Sequence, residues 1–379
     1  MSPSPPTIET PVALVDVAQM TANIARMQSR LQSLGVSFRP HVKTSKCVEI
    51  VARQRDAGAR GITVSTLREA EAFFAAGFID ILYAVCIAPN KIPHALALRA
   101  RGCALQILVD SVATAREVVK IGAAAQHVFD VLIEIDCDGH RSGIAPNAAS
   151  LLEIGHILDR GGANFLGVMT HAGSSYDCHT TAALEAIAEQ ERAAAVRAAT
   201  RLRESGIACP LVSVGSTPTA LSATQLDGVT EVRAGVYVFF DLVMAGVGVC
   251  SLDEIALSVL TTVIGHQAEK GWVIVDAGWM AMSRDRGTQS QATDYGYGAV
   301  CGEGGRVLDD YVMCAANQEH GIIARRDGAI DADLVQRFPI GSQWRILPNH
   351  ACATAAQFPH YIARDENGGL QEWPRFSGW

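Results

Sequence analysis

Lysine is scarce in this sequence of 379 residues, and one of its five lysines lies among other basic residues. Lys43 belongs to the stretch Arg39-Pro40-His41-Val42-Lys43-Thr44-Ser45-Lys46. Because side chains on a β-strand point to alternate faces, a strand over residues 37–43 places Arg39, His41 and Lys43 on one face. Neighbouring cations and partial desolvation favour the neutral form of a lysine amine, which can attack a carbonyl group. The pattern indicates a nucleophilic lysine, although a solvated lysine at a strand end also fits it.

Small and hydroxyl-bearing residues form a turn at Gly215-Ser216-Thr217-Pro218-Thr219, between a predicted strand and a predicted helix. Backbone N–H groups at such a turn, together with its hydroxyl groups, can bind a phosphate. Gly235 and Val236, in the next β-type segment, would complete the same anion site. An ordinary helix-capping turn also fits residues 215–219.

His350 and Cys352 form a third pattern, with one residue between them. Residues two apart on a β-strand share a face, so the imidazole and the thiolate could bind the same metal ion. Two protein ligands leave coordination positions open, which suits a metal that contacts substrate. A structural role for the two residues is the alternative.

The elements that must position these residues begin with eight β-type segments, which alternate with alanine-rich helical segments. Such alternation predicts parallel strands with right-handed crossovers, and eight units predict a closed (β/α)8 barrel. A doubly wound open sheet is the alternative, but the turn after the first predicted strand lacks the glycines typical of its ligand site. The predicted strands are residues 37–43, 61–65, 80–84, 105–110, 130–136, 165–171, 211–215 and 231–239.

Helical periodicity largely disappears after residue 250, and short β-type segments follow. The sequence therefore predicts a (β/α)8 barrel over residues 17–250 and a mostly β domain that combines residues 251–379 with residues 1–16. The short β-type segment Val12–Val15 is expected to pair with this second domain.

Active sites of (β/α)8 barrels lie at the carboxyl ends of the strands. Arg233, in the last predicted strand, could belong to such a site or could be a surface arginine near the barrel mouth. The polar residues that the sequence places at strand ends include Lys43, Thr66, Arg141, His171, Tyr176 and Arg233.

Composition restricts the partners of the protein. The net charge of -8 argues against binding to nucleic acid or to an anionic membrane. Ten cysteines are scattered without a Cys-x-x-Cys pair, which indicates free thiols in a reducing compartment. The first residues lack the segments of a signal peptide, and the apolar runs are too short to span a bilayer. We therefore expect a cytoplasmic protein.

Taken together, five motifs resemble the fold-type III pyridoxal phosphate (PLP) enzymes, the alanine-racemase-like group. The resemblance covers nearly the whole chain and is strongest to a metal-dependent branch that acts on D-amino acids. This branch comprises D-serine dehydratases, D-threo-3-hydroxyaspartate dehydratases and D-threonine aldolases. The motifs are Arg39-Pro40-His41-Val42-Lys43-Thr44, Gly215-Ser216-Thr217-Pro218-Thr219, Glu231-Val232-Arg233-Ala234-Gly235-Val236-Tyr237, Gln318-Glu319-His320-Gly321 and Pro348-Asn349-His350-Ala351-Cys352.

The resemblance implies that Lys43 binds PLP covalently, that Arg233 faces the pyridine nitrogen, and that His350 and Cys352 bind a divalent metal. Zinc is the expected metal, with manganese, cobalt or magnesium as alternatives. Lys46 is an odd number of residues from Lys43 and would not share its strand face, so it is expected to have no role. The expected phosphate-binding residues are Gly215, Ser216, Thr217, Gly235 and Val236. The further candidates are His41, Thr66 and Tyr176 beside the cofactor, and His171 and Arg141 in catalysis.

Within this branch the dehydratases have His-x-Cys and the aldolases typically have His-x-Asp, so Cys352 implies a dehydratase. The expected reaction converts D-threo-3-hydroxyaspartate to oxaloacetate and ammonia, or D-serine to pyruvate and ammonia. A D-threonine-type aldolase, a PLP carrier protein and a barrel that binds a sugar phosphate are the alternatives. The family also implies a homodimer.

Overall fold

The structure is a computed structural model, and it describes residues 8–302 and 305–379. Residues 1–7, where the sequence predicts no signal peptide, lie outside the described part of the chain. The chain divides into two compact units. The first consists of residues 24–237 and 376–379, and the second combines the described residues up to Asn23 with residues 238–375. The domain boundaries predicted after residues 16 and 250 stay a prediction.

The described chain begins with strand β1 (Val12–Asp16) and helix α1 (Val17–Ser33). The carboxylate of Asp16 accepts a hydrogen bond from the N–H of Gln19 (3.0 Å) and so caps the first turn of α1.

The first unit is a closed barrel of eight parallel strands. Its strand order is β2-β9-β8-β7-β6-β5-β4-β3, and a parallel bridge between His41 and Thr63 joins the two edge strands. The prediction of a (β/α)8 barrel is confirmed. The strands are β2 (Ser37–Phe38), β3 (Ile62–Val64), β4 (Asp80–Cys86), β5 (Ala104–Val109), β6 (Asp130–Ile135), β7 (Asn164–Thr170), β8 (Leu211–Val214) and β9 (Glu231–Val232). The helices are α2 (Val48–Asp56), α3 (Leu67–Ala75), α4 (Ile92–Ala100), α5 (Val112–Ala124), α6 (Ala149–Arg160), α7 (Thr181–Glu204) and α8 (Thr217–Ser222).

Aliphatic side chains from four neighbouring strands pack together in this unit. Leu82, Leu108, Leu132 and Met169 form a buried cluster, with one residue from each of β4, β5, β6 and β7. Hydroxyl side chains start three of the surrounding helices, because each accepts a hydrogen bond from a backbone N–H three residues later. These capping residues are Thr66 for α3, Ser111 for α5 and Thr180 for α7.

Two predicted strands are wrong in their length, and both carry site residues. β2 ends at Phe38, and residues 42–45 form a turn in which Lys46 N–H donates to the Val42 carbonyl (2.8 Å). The strand predicted over 231–239 ends at Val232, and Val236–Val238 form a 3-10 turn. The reason for the second error is that residues 234–239 form a buried apolar run, and such a run does not distinguish a strand from a helical turn.

The second unit is built on a nine-stranded sheet of mostly antiparallel strands, in the order β11-β14-β13-β12-β15-β10-β1-β16-β17. A further pairing of β10 with β11 closes six of these strands into a ring. β1 pairs with β10 and with β16, so its predicted pairing with the C-terminal strands is confirmed. The elements are α9 (Leu242–Val247), β10 (Leu257–Gln267), β11 (Trp272–Val275), α10 (Trp279–Met282), β12 (Ala299–Cys301), β13 (Val307–Ala316), β14 (Gly321–Arg325), α11 (Leu334–Arg337), β15 (Gln343–Leu347), α12 (Ala351–Ala355), β16 (His360–Arg364) and β17 (Leu370–Pro374).

All ten cysteines lie within the described residues and are free thiols, as predicted. Among the helices of the described chain, none is both long enough and apolar enough to cross a bilayer.

Arg39 is a buried cation of the barrel, with 5% of its surface exposed. Its guanidinium group donates to Glu231 (Nε to Oε2, 2.7 Å) and to Asp80 (Nη1 to Oδ1, 2.8 Å). Glu231 is itself buried and also accepts a hydrogen bond from the hydroxyl of Ser213 (2.6 Å). Arg39 therefore compensates a buried carboxylate, and does not belong to an exposed basic face with Lys43.

Replacement of Arg39 by methionine should lower the free energy of unfolding by about 3 kcal/mol, because it leaves the buried carboxylate of Glu231 without its cation. Urea unfolding followed by circular dichroism measures this change. Arg55→Met is the matched control, since Arg55 pairs with Asp56 at the surface, and its effect should stay below about 1 kcal/mol. Equal effects of the two substitutions would contradict the assignment.

Candidate cofactor and metal sites

Lys43 lies in the turn that follows β2, at the carboxyl end of a barrel strand. Its side chain is exposed, and its backbone N–H lies 3.5 Å from Nδ1 of His41. The N–H of His41 donates to the carbonyl of Ala234 (2.8 Å), so the chain stays bound to the sheet until just before the turn. An accessible amine therefore projects from the end of the barrel at which active sites form.

Two imidazole rings lie near this lysine, on His41 and His171. Nδ1 of His171 lies 3.0 Å from the carbonyl oxygen of Gly215, and a carbonyl only accepts, so Nδ1 carries the proton. Burial is the main cause that lowers the pKa of His171 to about 3, and nearby positive charges add to it. Burial, together with the positive charges of neighbouring side chains, holds the pKa of His41 well below its usual value. The cations concerned are Lys43, Arg141 and Arg233.

Both rings are consequently neutral near pH 7, and basic side chains are among the groups that lower both pKa values, namely Lys43, Arg141 and Arg233. Such a surrounding favours an anionic ligand.

The turn after β8 approaches the neighbouring strand closely at Gly215. Its φ is 132°, and a Cβ atom there would lie 2.1 Å from the carbonyl oxygen of Arg233, so only glycine fits. Ser216 then caps α8, since its hydroxyl accepts from Thr219 N–H (3.1 Å) and its own N–H donates to the Thr219 hydroxyl (2.9 Å). The capping turn left open by the sequence is therefore present.

Capping does not use all the backbone donors of this region. Within the part of the chain that the structure describes, the N–H groups of Thr217, Gly235 and Val236 have no hydrogen-bond acceptor. The hydroxyl of Thr217 accepts from Tyr237 N–H (3.2 Å), which ties the two segments together. A Cβ atom at Gly235 would lie 2.9 Å from the carbonyl oxygen of His41, so this position is also restricted to a small residue. Three convergent donors without acceptors fit a phosphate group.

Arg233 is buried, with 3% of its surface exposed, so the surface-arginine alternative is wrong. Its guanidinium group donates to the hydroxyl of Ser213 and to the carbonyl of Thr170, both at 2.6 Å. Burial lowers the pKa of Arg233, and nearby carboxylates oppose this shift. The contacts fix the position of a positive charge inside the barrel.

Three other predicted residues differ in their surroundings. The Thr66 hydroxyl caps α3 by accepting from Glu69 N–H (3.0 Å). Tyr176 lies in a 3-10 turn after β7, and its ring centroid is 6.2 Å from that of His171. Arg141 is exposed in the loop after β6 and affects both imidazoles through its charge. Tyr176 and Arg141 thus lie near the histidines, whereas the hydroxyl of Thr66 is occupied.

Glu191 of α7 was not predicted from the sequence, although it positions two candidate residues. Its side chain is 1% exposed, and Oε1 accepts from the N–H groups of Ala172 (2.8 Å) and Gly215 (3.1 Å). It therefore joins the residue after His171 to the start of the turn at residues 215–219. Glu191 is one of four glutamates in α7, and nothing in the sequence distinguishes it from the other three for this role.

In the second unit, His350 and Cys352 lie at the start of α12, so the predicted strand is wrong here. The helix begins at Ala351 because His350 has an extended conformation (φ -136°, ψ 107°) and acts as its N-cap. The two side chains nevertheless interact, and Nδ1 of His350 lies 2.7 Å from Oδ2 of Asp285.

Asp285 orients the His350 ring as carboxylates do in many metal sites. A hydrogen bond from Nδ1 to the carboxylate leaves Nε2 as the ligand atom. Burial alone would lower the pKa of His350, but its bonds to Asp285 and Cys352 raise it to about 11 in the absence of a metal charge. The hydrogen bond from His350 also lowers the pKa of Asp285. A thiol beside an oriented imidazole fits a divalent ion of the borderline class, such as zinc.

Asp285 and Asn349 are the residues of this site that sequence reasoning missed. The amide of Asn349 donates to the carbonyl groups of Asp285 (3.0 Å) and Gly296 (2.8 Å), and its oxygen accepts from the Thr288 hydroxyl (2.8 Å). Asn349 precedes His350 in the recognised motif, which is the only signal the sequence offered for it.

Comparisons with known proteins place both units in known families. Residues 15–243 match the family model of the alanine racemase N-terminal domain, and residues 256–363 match a putative serine dehydratase domain. The chain is 61% identical over 374 residues to a D-threo-3-hydroxyaspartate dehydratase of Delftia sp., with 98% of each chain covered. It is 33% identical to a D-serine dehydratase of Dictyostelium discoideum, again with 98% of each covered.

A solved structure of a Cys-to-Ala variant of D-threo-3-hydroxyaspartate dehydratase, in the metal-free form, is also similar. It is 61% identical to this chain and matches it with a TM-score of 0.98, over 98% of this chain and 99% of the other.

Replacement of Asp285 by asparagine should weaken metal binding about tenfold or more, because an uncharged amide is a weaker acceptor than a carboxylate for the protonated Nδ1 of His350. Competition with a chelator, read by metal analysis, measures the affinity. Asp294→Asn is the control, since Asp294 is an exposed carboxylate of the same segment that pairs with Arg286. Unchanged affinity in the Asp285 variant would show that the ring is positioned by other contacts.

Proposed function

The chain belongs to the alanine racemase N-terminal domain family, and from that membership we propose that it is a PLP- and metal-dependent dehydratase of D-3-hydroxy amino acids. D-threo-3-hydroxyaspartate is the proposed substrate, and oxaloacetate and ammonia are the products. The observation that carries this proposal is the 61% identity, over almost the whole chain, to a D-threo-3-hydroxyaspartate dehydratase. D-serine is the second candidate substrate, because D-serine dehydratase is a more distant relative.

The barrel unit supports PLP as the cofactor. An accessible amine on Lys43, a turn with unoccupied N–H groups at Thr217, Gly235 and Val236, and a buried cation at Arg233 are the groups that PLP requires. His41 and Tyr176 complete the proposed cofactor contacts. Ser216 and Thr66 contribute through the turns that they cap, since both hydroxyl groups have internal partners.

The second unit supports a divalent metal on His350 and Cys352, and the thiol favours zinc over manganese, cobalt or magnesium. The similar solved structure is a Cys-to-Ala variant in a metal-free form, which supports a cysteine ligand. A PLP carrier would need neither a metal pair nor a second unit that matches a serine dehydratase domain.

When bound, PLP withdraws electrons from the substrate Cα and the metal acts as a Lewis acid on the β-hydroxyl group. The amine of Lys43 accepts the Cα proton. His171, neutral and fixed by Gly215, orients the reacting groups through Nε2 without adding charge, and Arg141 supplies a positive charge for a substrate carboxylate. Loss of water from the substrate, followed by hydrolysis, gives the 2-oxo acid and ammonia.

Arg233 influences which reaction follows proton removal. Its fixed charge would disfavour protonation of a cofactor ring nitrogen held beside it, and so would weaken the cofactor's capacity to withdraw electrons. An elimination with prompt departure of the leaving group suits this arrangement. An aldolase would instead release glycine and an aldehyde, and analysis of the products separates the two reactions.

We also propose a cytoplasmic homodimer, which the family resemblance implies and which the ten free thiols support through the expected reducing compartment. Light scattering of the purified protein tests the oligomeric state.

Replacement of Lys43 by alanine should abolish turnover of D-threo-3-hydroxyaspartate and the visible absorbance of covalently bound PLP. Ammonia and oxaloacetate release measure the first, and a spectrum of the purified variant measures the second. Lys270→Met is the control, because this lysine lies over the Trp272 ring in the other unit. Turnover by the Lys43 variant, or full activity after exhaustive chelation, would contradict the proposed mechanism.

The second carboxylate of 3-hydroxyaspartate needs a cation near the metal, because that carboxylate and the β-hydroxyl group are on the same carbon atom. Arg284 and Arg286 flank Asp285, the partner of His350. Arg286 already pairs with Asp294 (2.9 Å), whereas Arg284 is exposed and lies over the Trp279 ring (4.9 Å). Arg284 is therefore the proposed contact for this carboxylate.

Arg284→Met should lower kcat/KM for D-threo-3-hydroxyaspartate about tenfold or more, by loss of a charge-assisted hydrogen bond, and change kcat/KM for D-serine far less. Steady-state kinetics with both substrates give the ratio. Arg286→Met is the matched variant, and it should not alter the ratio. A parallel loss on both substrates would assign Arg284 a structural role.

A further inference from the structure

Lys46 ends the turn that carries Lys43, and its backbone has an unusual conformation. Its φ is 45°, in the left-handed region that residues with a Cβ atom rarely adopt. Its N–H closes the turn by donating to the Val42 carbonyl (2.8 Å). A residue stays in such a conformation only where surrounding contacts compensate the strain.

The side chain of Lys46 makes one of these contacts, with Glu69 of α3. Nζ lies 3.1 Å from Oε1, and the side chains are only 16% and 1% exposed. The Glu69 carboxylate also accepts from Ser65 N–H (3.1 Å) and from the Thr66 hydroxyl (3.3 Å). One buried carboxylate thus links the turn after β2 to the turn after β3.

The last four residues of the chain make the second contact. The N–H of Phe376 donates to the Lys46 carbonyl (2.8 Å), and the Phe376 ring packs edge-to-face on Phe73 of α3 (5.1 Å between centroids, 84° between planes). The Trp379 ring centroid lies 5.8 Å from Nζ of Lys46. Residues 376–379 accordingly group with the barrel unit.

We propose that Lys46, Glu69 and the C-terminal residues 376–379 form a clamp that positions Lys43 for PLP. Lys46 is a positioning residue, not a catalytic one, and this proposal would replace the sequence-based expectation that it has no role. The inference rests on the proposed function only in taking Lys43 as the lysine that binds PLP.

The clamp acts on both sides of the same peptide segment. Loss of the Lys46 amine leaves the buried Glu69 carboxylate without its cation, and the strained turn then relaxes. Loss of Phe376 removes the donor to the Lys46 carbonyl and the ring on Phe73. In either case the amine of Lys43 samples more positions, so PLP binding becomes weaker.

Four variants test the clamp in the full apoprotein: Lys46→Met, Lys46→Arg, Glu69→Gln and a chain that ends at Arg375. Titration with PLP, followed by its visible absorbance, gives the dissociation constant. Lys46→Met and Glu69→Gln should weaken PLP binding about tenfold, the loss of one charge-assisted hydrogen bond. The shortened chain should also bind PLP more weakly. Lys46→Arg should stay within about threefold of the parent, because it keeps the cation.

Hydrogen exchange of the apoprotein gives a readout that does not depend on PLP. Peptides that cover residues 42–47 should exchange faster in Lys46→Met and in the shortened chain, and at the parent rate in the control Lys270→Met. Melting temperatures identify any variant that fails to fold. If Lys46→Met or Glu69→Gln fails to fold, the comparison of Lys46→Arg with the shortened chain tests the clamp.

The outcomes separate this inference from the proposed function. Parent-like PLP affinity and exchange in Lys46→Met and in the shortened chain would overturn the clamp. A parent protein that does not bind PLP would overturn the proposed function, while faster exchange over residues 42–47 would still support the clamp.

Discussion

The carboxylate of Glu191 connects the ends of two neighbouring barrel strands, and the candidate cofactor site depends on that connection. It accepts hydrogen bonds from the N–H groups of Ala172 and Gly215. The Gly215 carbonyl in turn accepts a hydrogen bond from the ring N–H of His171. Burial raises the pKa of Glu191, and these backbone donors oppose the shift by favouring its charged form. One side chain from α7 therefore helps to position both the imidazole and the turn at residues 215–219.

Compensation of buried charge recurs through the barrel unit. Arg39 compensates the charge of Glu231, and Lys46 compensates the charge of Glu69. Arg233 instead donates hydrogen bonds to neutral oxygen atoms, those of Ser213 and Thr170. The first two pairs stabilise the framework, whereas the charge of Arg233 is the one proposed to face the cofactor.

In the second unit, the basic side chain of His350 likewise pairs with a carboxylate. Asp285 accepts from the ring and is itself fixed through its backbone by Asn349, so two residues from separate segments orient one imidazole. Asp241, also buried, accepts from the N–H of Ala351 and so fixes the first turn of α12, which carries Cys352. The placement of the proposed ligands His350 and Cys352 depends on these contacts, because residues two apart at a helix start do not share a face by periodicity alone.

The sequence by itself determined which groups could react and the order of the elements that carry them. The lysine, the imidazole–thiol pair and the eight β/α units follow from residue type and local period, which do not require knowledge of distant contacts. Only the tertiary structure decided the turn at Lys43, the helix start at His350, and the partners Glu191, Asp285 and Glu69. Asp285 lies 65 positions from His350, and the tail residue Phe376 is farther still from Lys46. Such contacts depend on how the chain packs, and a local pattern carries no information about them.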